Sequence, residues 1–296
     1  MALLDPDTPV VLDGGLGTLL TERGHDLSGA TWSARLLQED PAAIVDAHRE
    51  FFDAGARVAI TSSYQASFEG FERLGLDRGE AERLMRLSVE LAREARDGTE
   101  GALVAASVGP YGAMLADGSE YRGEYGRTTA ELRRWHEPRF AVLADAGADL
   151  LAFETIPCLP EVEALAALLD GSGVPAWLSV TVADGRLRSG ESLEEAFALV
   201  ADVDEVVAVG INCSHPSEVV GAVRAARATS DRAVVVYPNS GEEWDGRHKR
   251  WMGEPGFGRE LVATWLDEGA TLVGGCCRVG PGQIAGIAAV VAERTA

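Results

Sequence analysis

The sequence is poor in positive charge. Lys249 is its only lysine, and 26 basic residues stand against 47 acidic ones, giving a formal charge of −21. Nucleic acids and anionic membrane surfaces are held by clustered Lys and Arg, so neither is an expected partner. Long hydrophobic runs are also missing: nothing approaches the roughly 20 apolar residues that cross a bilayer. The first residues, Met1 to Pro9, are acidic and lack the basic-then-apolar pattern of a signal peptide. A cytoplasmic home is expected. Cysteine is scarce, four in 296 residues, and in a reducing compartment clustered thiols serve metals or catalysis rather than disulfides. No linker-like or low-complexity stretch interrupts the chain, so one domain spanning 1–296 is expected.

What the chain does have is alternation. Short β-branched runs at 10–13, 58–62, 102–108, 149–154, 176–182, 206–212, 233–237 and 271–275 read as strands. Amphipathic stretches near 41–54, 79–97, 129–146, 160–170, 191–201, 216–228, 256–268 and 281–293 read as helices. Strands alternating with helices pair in parallel through right-handed crossovers. Eight such units in this length fit a closed (β/α)8 TIM barrel, with an open doubly wound sheet as the alternative, because periodicity cannot show closure. The Gly-rich stretch 109–128 is long for a strand-to-helix loop, and such loops are often functional.

The unusual residues fall at strand ends. Asp13-Gly14-Gly15 follows the first, Thr61-Ser62-Ser63-Tyr64 ends the second, and Gly109-Pro110-Tyr111-Gly112 follows the third. Glu154 ends the fourth and Asn212-Cys213 the sixth; Pro238-Asn239-Ser240 follows the seventh and Cys276-Cys277-Arg278 the eighth. In a parallel barrel these ends share the face on which active sites sit.

Three thiolates, Cys213, Cys276 and Cys277, can hold one Zn2+ and leave its fourth position open, as catalytic sites do. Packing is the plain alternative for any one of them, and a bond between the neighbours Cys276 and Cys277 would be strained. Cys158 has no companion and reads as structural. A zinc with three thiolates deprotonates a fourth thiol on binding and keeps that sulfur electron-rich, which suits attack on a cationic methyl donor. Asp13 and Glu154 are carboxylates in apolar settings, where a cationic partner is required, either a ligand ammonium or an arginine such as Arg278. The N–H groups of Gly14 and Gly15 could receive a carboxylate, although a tight turn also explains glycines there. Ammonium, carboxylate and thiol sites together describe an amino-acid thiol. Trp32 could stack on a sulfonium or serve as a core aromatic. His25, His48, His136, His215 and His248 show no ligand spacing.

On Asp-Gly-Gly at 13–15, Gly-Ile-Asn-Cys at 210–213 and Gly-Gly-Cys-Cys-Arg at 274–278, the chain resembles the homocysteine S-methyltransferase family along nearly its whole length. The resemblance implies a (β/α)8 barrel, zinc on Cys213, Cys276 and Cys277, and a homocysteine amino group held by Asp13 and Glu154. Gly14, Gly15 and Asn212 join them on the substrate side. The stretches 59–67, 107–113, 115–123 and 235–242 look like the branch that uses S-methylmethionine or S-adenosylmethionine, so a methylsulfonium donor is implied, near Trp32, Tyr111, Glu120 and Tyr121. Thr155 stands where the betaine-using branch has an aromatic, which disfavours betaine. Without a Rossmann glycine fingerprint, S-methylmethionine is mildly favoured over S-adenosylmethionine. A betaine-type homocysteine methyltransferase, a non-catalytic zinc or thiol-binding barrel, and a redox protein cycling Cys276 and Cys277 remain the alternatives.

Overall fold

The structure is a computed structural model. It describes residues 4–295 apart from 6, 28–31, 246–249, 254–255 and 257. Its centre is an eight-stranded parallel sheet: β1 (Val10–Val11), β2 (Val58–Ile60), β3 (Leu103–Val108), β4 (Leu150–Ile156), β5 (Ala176–Val180), β6 (Val206–Asn212), β7 (Ala233–Tyr237) and β8 (Leu272–Val273). Each strand pairs with its sequence neighbour, and β8 returns to β1 in register Val10 with Leu272. A parallel bridge from Leu12 to Val58 joins β1 to β2, with Arg57 N–H donating to Val11 O at 2.7 Å and Asp13 N–H to Val58 O at 3.1 Å. These bonds close the ring, which decides for the barrel over an open sheet.

Period-two alternation sorts the strand residues into two layers. One set, including Leu12, Val58, Ala105, Leu150, Ala152, Trp177, Ala208, Val235, Tyr237 and Leu272, packs together as the barrel interior. The other set, including Val104, Leu151, Phe153, Leu178, Ile211, Val236 and Val273, packs against the helices. Within the interior the alanines leave room for the bulk of Trp177, so volumes compensate as barrel filling requires. Carrying the same alternation toward the strand ends puts Ser107, Glu154, Ser179, Asn212 and Tyr237 on the interior side. Their fate is set by the pattern that fills the core.

The helices form where apolar stripes and caps coincide. Asp40, Ser67 and Asp77 accept from the first turns of their helices, and Thr128 with Glu131 and Ser192 with Glu195 make capping boxes. The connection between β1 and β2 holds helices Leu16–Glu22 and Trp32–Glu39 that the periodicity does not reveal. The long stretch after β3 contains a short helix, Tyr111–Leu115, and a 3-10 turn, Ser119–Tyr121. The eighth strand is shorter than expected: Gly274 and Gly275 already leave the sheet. No helix among the described residues is long and apolar enough to cross a membrane.

Candidate active site

At the carboxyl ends of the strands lies a cavity of about 460 Å³, lined by Gly14, Gly15, Glu154, Cys213, Cys276 and Cys277 among others. The three sulfurs come from the ends of β6 and β8 and lie within 4.8 Å of one another. Cys213 and Cys276 are in direct contact as a disulfide, with Cα atoms 5.6 Å apart, and Cys277 is free. A tetrahedral ion with metal–sulfur bonds of about 2.3 Å needs sulfurs roughly 3.8 Å apart. Once reduced, the trio fits such an ion with small rotations. Burial pushes the Cys277 thiol up to about 11, and a bound cation is what reverses such a shift. Backbone bonds hold the ligand loop: Cys276 N–H donates to Pro238 O at 2.8 Å and Cys277 N–H to Asn239 Oδ1 at 3.2 Å.

The first-strand loop is pressed against this one. A Cβ on Gly14 would sit 2.3 Å from Val279 O, and one on Gly15 would sit 2.5 Å from Cys276 O. Close approach is therefore the reason for both glycines. Gly15 N–H donates to Val279 O at 2.9 Å, so of the pair only Gly14 retains an N–H to offer.

Two buried carboxylates belong to this end of the barrel: Glu154 lines the cavity, and Asp13 immediately precedes the lining residue Gly14. Asp13 is buried; Oδ2 accepts from Ile60 N–H at 2.8 Å, and Oδ1 has no hydrogen-bond partner. Glu154 is buried on β4 and held by hydroxyls of Ser107 and Tyr237. Burial pushes Glu154 up to about 7 and Asp13 well above the usual carboxylate range, and the two repel each other. Arg278, the arginine expected from sequence as a structural partner of Glu154, pairs with Glu242 at 2.6 Å. Ser107 is itself braced: its N–H donates to Thr61 Oγ1 at 3.0 Å, and its carbonyl accepts from Ser63 at 2.8 Å.

Asn212 is fully buried and reaches across to β4. Its Oδ1 accepts from Thr155 N–H at 2.6 Å and its Nδ2 donates to Thr155 Oγ1 at 2.8 Å. These bonds fix a register shift just past Glu154, where Thr155 has φ 61°. Cys213 and Arg278 also carry left-handed backbone, at 46° and 63°. Three non-glycine residues held this way at three strand ends mark a site whose scaffold over-determines its backbone.

The remaining expected residues divide. Tyr121 lines the cavity, whereas Tyr111 lines a separate surface cleft with Trp135 and Arg127. Tyr111 is turned away because its ring packs edge-on against Trp135 and Tyr125. Glu120, next to Tyr121 in the chain, does not itself line the cavity; its Oε2 is buried and unpartnered, and burial raises its carboxyl. Trp32 begins a helix, and its side chain lies outside the described residues. His48 and His136 are buried, and His215 is exposed and caps its own turn through Ser217. Cys158 is buried and away from the other thiols, as expected. Tyr64, from a strand end that the sequence placed on this face, lines the cavity; Gln65, Tyr237 and the helix face of Thr18, Thr21 and Glu22, which the sequence did not single out, line it as well. Tyr237 could have been found from its place at the inward end of β7.

Comparison with known proteins agrees with this geometry. The family model described as homocysteine S-methyltransferase matches residues 10–291. The chain belongs to the homocysteine S-methyltransferase family. It is 41% identical to homocysteine S-methyltransferase YbgG of Bacillus subtilis, over 97% of this chain and 96% of that one. It is 45% identical to homocysteine S-methyltransferase 1 of Arabidopsis thaliana, over 93% and 90% of the two. Among solved structures it superposes on the metallated form of the homocysteine methyltransferase MmuM from Escherichia coli with a TM-score of 0.85. The two are 41% identical, with 95% and 96% of the chains covered. The oxidized form of the same protein also gives 0.85.

Proposed function

We propose that the chain, 1–296, acts as one homocysteine-binding barrel domain that moves a methyl group from a sulfonium donor to the sulfur of L-homocysteine, forming methionine. The observation that carries this reading is the meeting of three cysteine sulfurs with the buried Glu154 carboxylate at one cavity, and with Asp13, whose Oδ1 is buried without a partner, directly before the lining residue Gly14. Zn2+ held by Cys213, Cys276 and Cys277 in their reduced form would supply thiol ionisation at neutral pH. The chain's own groups do the rest. Asp13 and Glu154 receive the α-ammonium, which gives both buried charges the partner they lack. The Gly14 N–H points the substrate carboxylate, and Asn212 keeps Glu154 in place by fixing the bend at Thr155. The cavity walls exclude water and bring donor and acceptor into line, so the catalytic work is positioning. In the transfer, the homocysteine sulfur's lone pair forms the new S–CH3 bond while the bond from donor sulfur to methyl breaks. Its electron pair stays on the donor sulfur, which becomes a neutral thioether. On the donor side we assign Tyr121 and the Glu120 carboxylate next to it in the chain, with Trp32 retained from the sequence reading and S-methylmethionine preferred.

The test is methionine formation from homocysteine with S-methylmethionine, S-adenosylmethionine or betaine, before and after chelation. Turnover with a sulfonium that chelator abolishes and zinc restores is expected; undiminished turnover in metal-free protein would defeat the proposal. The contact between Cys213 and Cys276 favours a second, redox reading. Thiol titration separates the two, because a chelator unmasks three thiols in a metal site and none in a disulfide.

A further inference from the structure

Outside the cavity, three buried titratable side chains meet between the helices Thr129–Ala144 and Leu159–Leu169. Arg139, His136 and Glu161 are each at most 1% exposed. Burial lowers His136 to about 4, so it is neutral near pH 7; burying ions such as Arg139 and Glu161 costs several kcal/mol apiece, and apolar packing would be the cheaper way to join two helices. Their hydrogen bonds show what they hold instead. Arg139 Nη1 donates to Ala66 O at 3.1 Å, and its Nη2 donates to Gly109 O. Glu161 Oε1 accepts from Tyr111 N–H at 2.6 Å and pairs with His136 Nε2 at 2.8 Å. Every backbone group in this set belongs to the loops that follow β2 and β3.

Those loops carry cavity walls. Tyr64 lies two residues before Ala66, and its carbonyl accepts from Gly109 N–H at 3.3 Å. A Cβ on Gly109 would stand 2.6 Å from the Tyr64 ring, so ring and loop fit without slack. The Tyr64 hydroxyl is hydrogen-bonded to Thr155, which Asn212 holds beside Cys213. Gly112 in turn packs against the backbone of Ser119 and Glu120, next to Tyr121. The planar guanidinium bridges the two carbonyls from separate nitrogens, where a lysine would offer only one, and Trp135 covers it at 4.5 Å. Glu161 supplies the countercharge.

We propose that Arg139 and Glu161 are positioning residues for methyl transfer: two buried, oppositely charged side chains whose bonds to Ala66, Gly109 and Tyr111 set Tyr64 and the 109–121 loop against the cavity. The inference rests on the methyltransferase reading for its kinetic arm only. Amide hydrogen exchange gives an arm independent of activity.

In Arg139→Lys, exchange at 64–66 and 109–112 should quicken by about tenfold or more while the strands stay protected. The donor KM should rise about tenfold, with homocysteine affinity and metal content within about twofold of wild type. Glu161→Ala should reproduce this pattern and serves in its place if Arg139→Lys does not fold. Glu161→Gln keeps an oxygen for Tyr111 N–H and should restore most of the donor KM. Unchanged exchange in both segments overturns the proposal. So does a lowered Tm with unaltered kinetic constants, since a merely structural pair would behave that way. A wild-type protein that transfers no methyl group would instead defeat the function proposed above and leave the exchange result standing.

Discussion

The two sides of the cavity are built by different means. On one side Glu154, Cys213, Cys276 and Cys277 stand on or just past strand ends, each fixed by the barrel's own alternation and hydrogen-bonded backbone. On the other, Tyr64, Tyr121 and the helix Leu16–Glu22 come from excursions whose shape depends on packing between loops. The first side presents sulfur and carboxylate at positions that tolerate no freedom, shown by left-handed backbone at Thr155, Cys213 and Arg278. The second presents aromatic rings on a wall held from behind by buried charge. Under the function proposed above, a rigid acceptor side and a propped donor side suit a transfer between two sulfurs, because there only the acceptor must be ionised as well as placed.

The largest break in this contrast should come from removing a sulfur. Cys277→Ala should lose metal and reduce methyl transfer on the order of a thousandfold or more, while circular dichroism and Tm stay close to wild type. Retained metal with full turnover would remove Cys277 from the site. Cys158→Ala is the matched control: it should keep metal and activity, losing only about 1 kcal/mol of stability from the small cavity created.

Next in size is the carboxylate. Glu154→Gln should weaken homocysteine binding about ten- to hundredfold with metal intact, because a charge-assisted bond to the ammonium is lost. The wild type should show a matching pH dependence. With Glu154 raised to about 7, ionised carboxylate disappears as pH falls below that value, so affinity should drop about tenfold per unit there. Glu154→Gln should lose the share of this dependence that Glu154 contributes, leaving only that of Asp13, which is also raised. The stability sign is opposite. In ligand-free protein the buried carboxyl is neutral in both folded and unfolded chains below about 4.5, and its favourable contribution is lost as pH rises through 7. Glu154→Gln should thus be more stable than wild type at pH 8, by up to about 3 kcal/mol, with no such gain at pH 4.5. Calorimetry across that window checks both statements. A smaller effect is expected on the donor side, where Tyr121→Leu should raise the donor KM about threefold to tenfold without touching homocysteine affinity.

The same contrast explains what could be read in the sequence. Strands and the interior identity of Glu154 and Asn212 follow from a period of two, so the acceptor side was visible as a list of strand ends. The pairing of Cys213 with Cys276, rather than with its neighbour Cys277, was not visible. It depends on the path of the loop after β8, where Gly275 N–H donates to Asp13 O at 3.1 Å and Cys276 N–H to Pro238 O at 2.8 Å. Tyr111 shows the limit on the other side. Its position after β3 suggested the cavity, but the buried Glu161 takes its backbone N–H and Trp135 and Tyr125 take its ring, so it faces another cleft. Arg139, His136 and Glu161 looked like ordinary helix residues, since nothing local reveals that a helix face will be sealed under loops.

The finest test of the acceptor side concerns Thr155, where two opposing effects should nearly cancel. A β-branched residue at φ 61° carries about 1–2 kcal/mol of strain that glycine would relieve. Its hydroxyl, however, joins Asn212 and Tyr64, and each lost hydrogen bond costs about 1 kcal/mol with the buried partner left unsatisfied. Thr155→Gly should therefore shift Tm by no more than about 3 °C in either direction. Thr155→Ala keeps the strain and loses both bonds, so it should be the less stable of the two by about 1–2 kcal/mol. If alanine proves equal to glycine, the left-handed backbone is no burden and the strand end is held less tightly than its geometry implies.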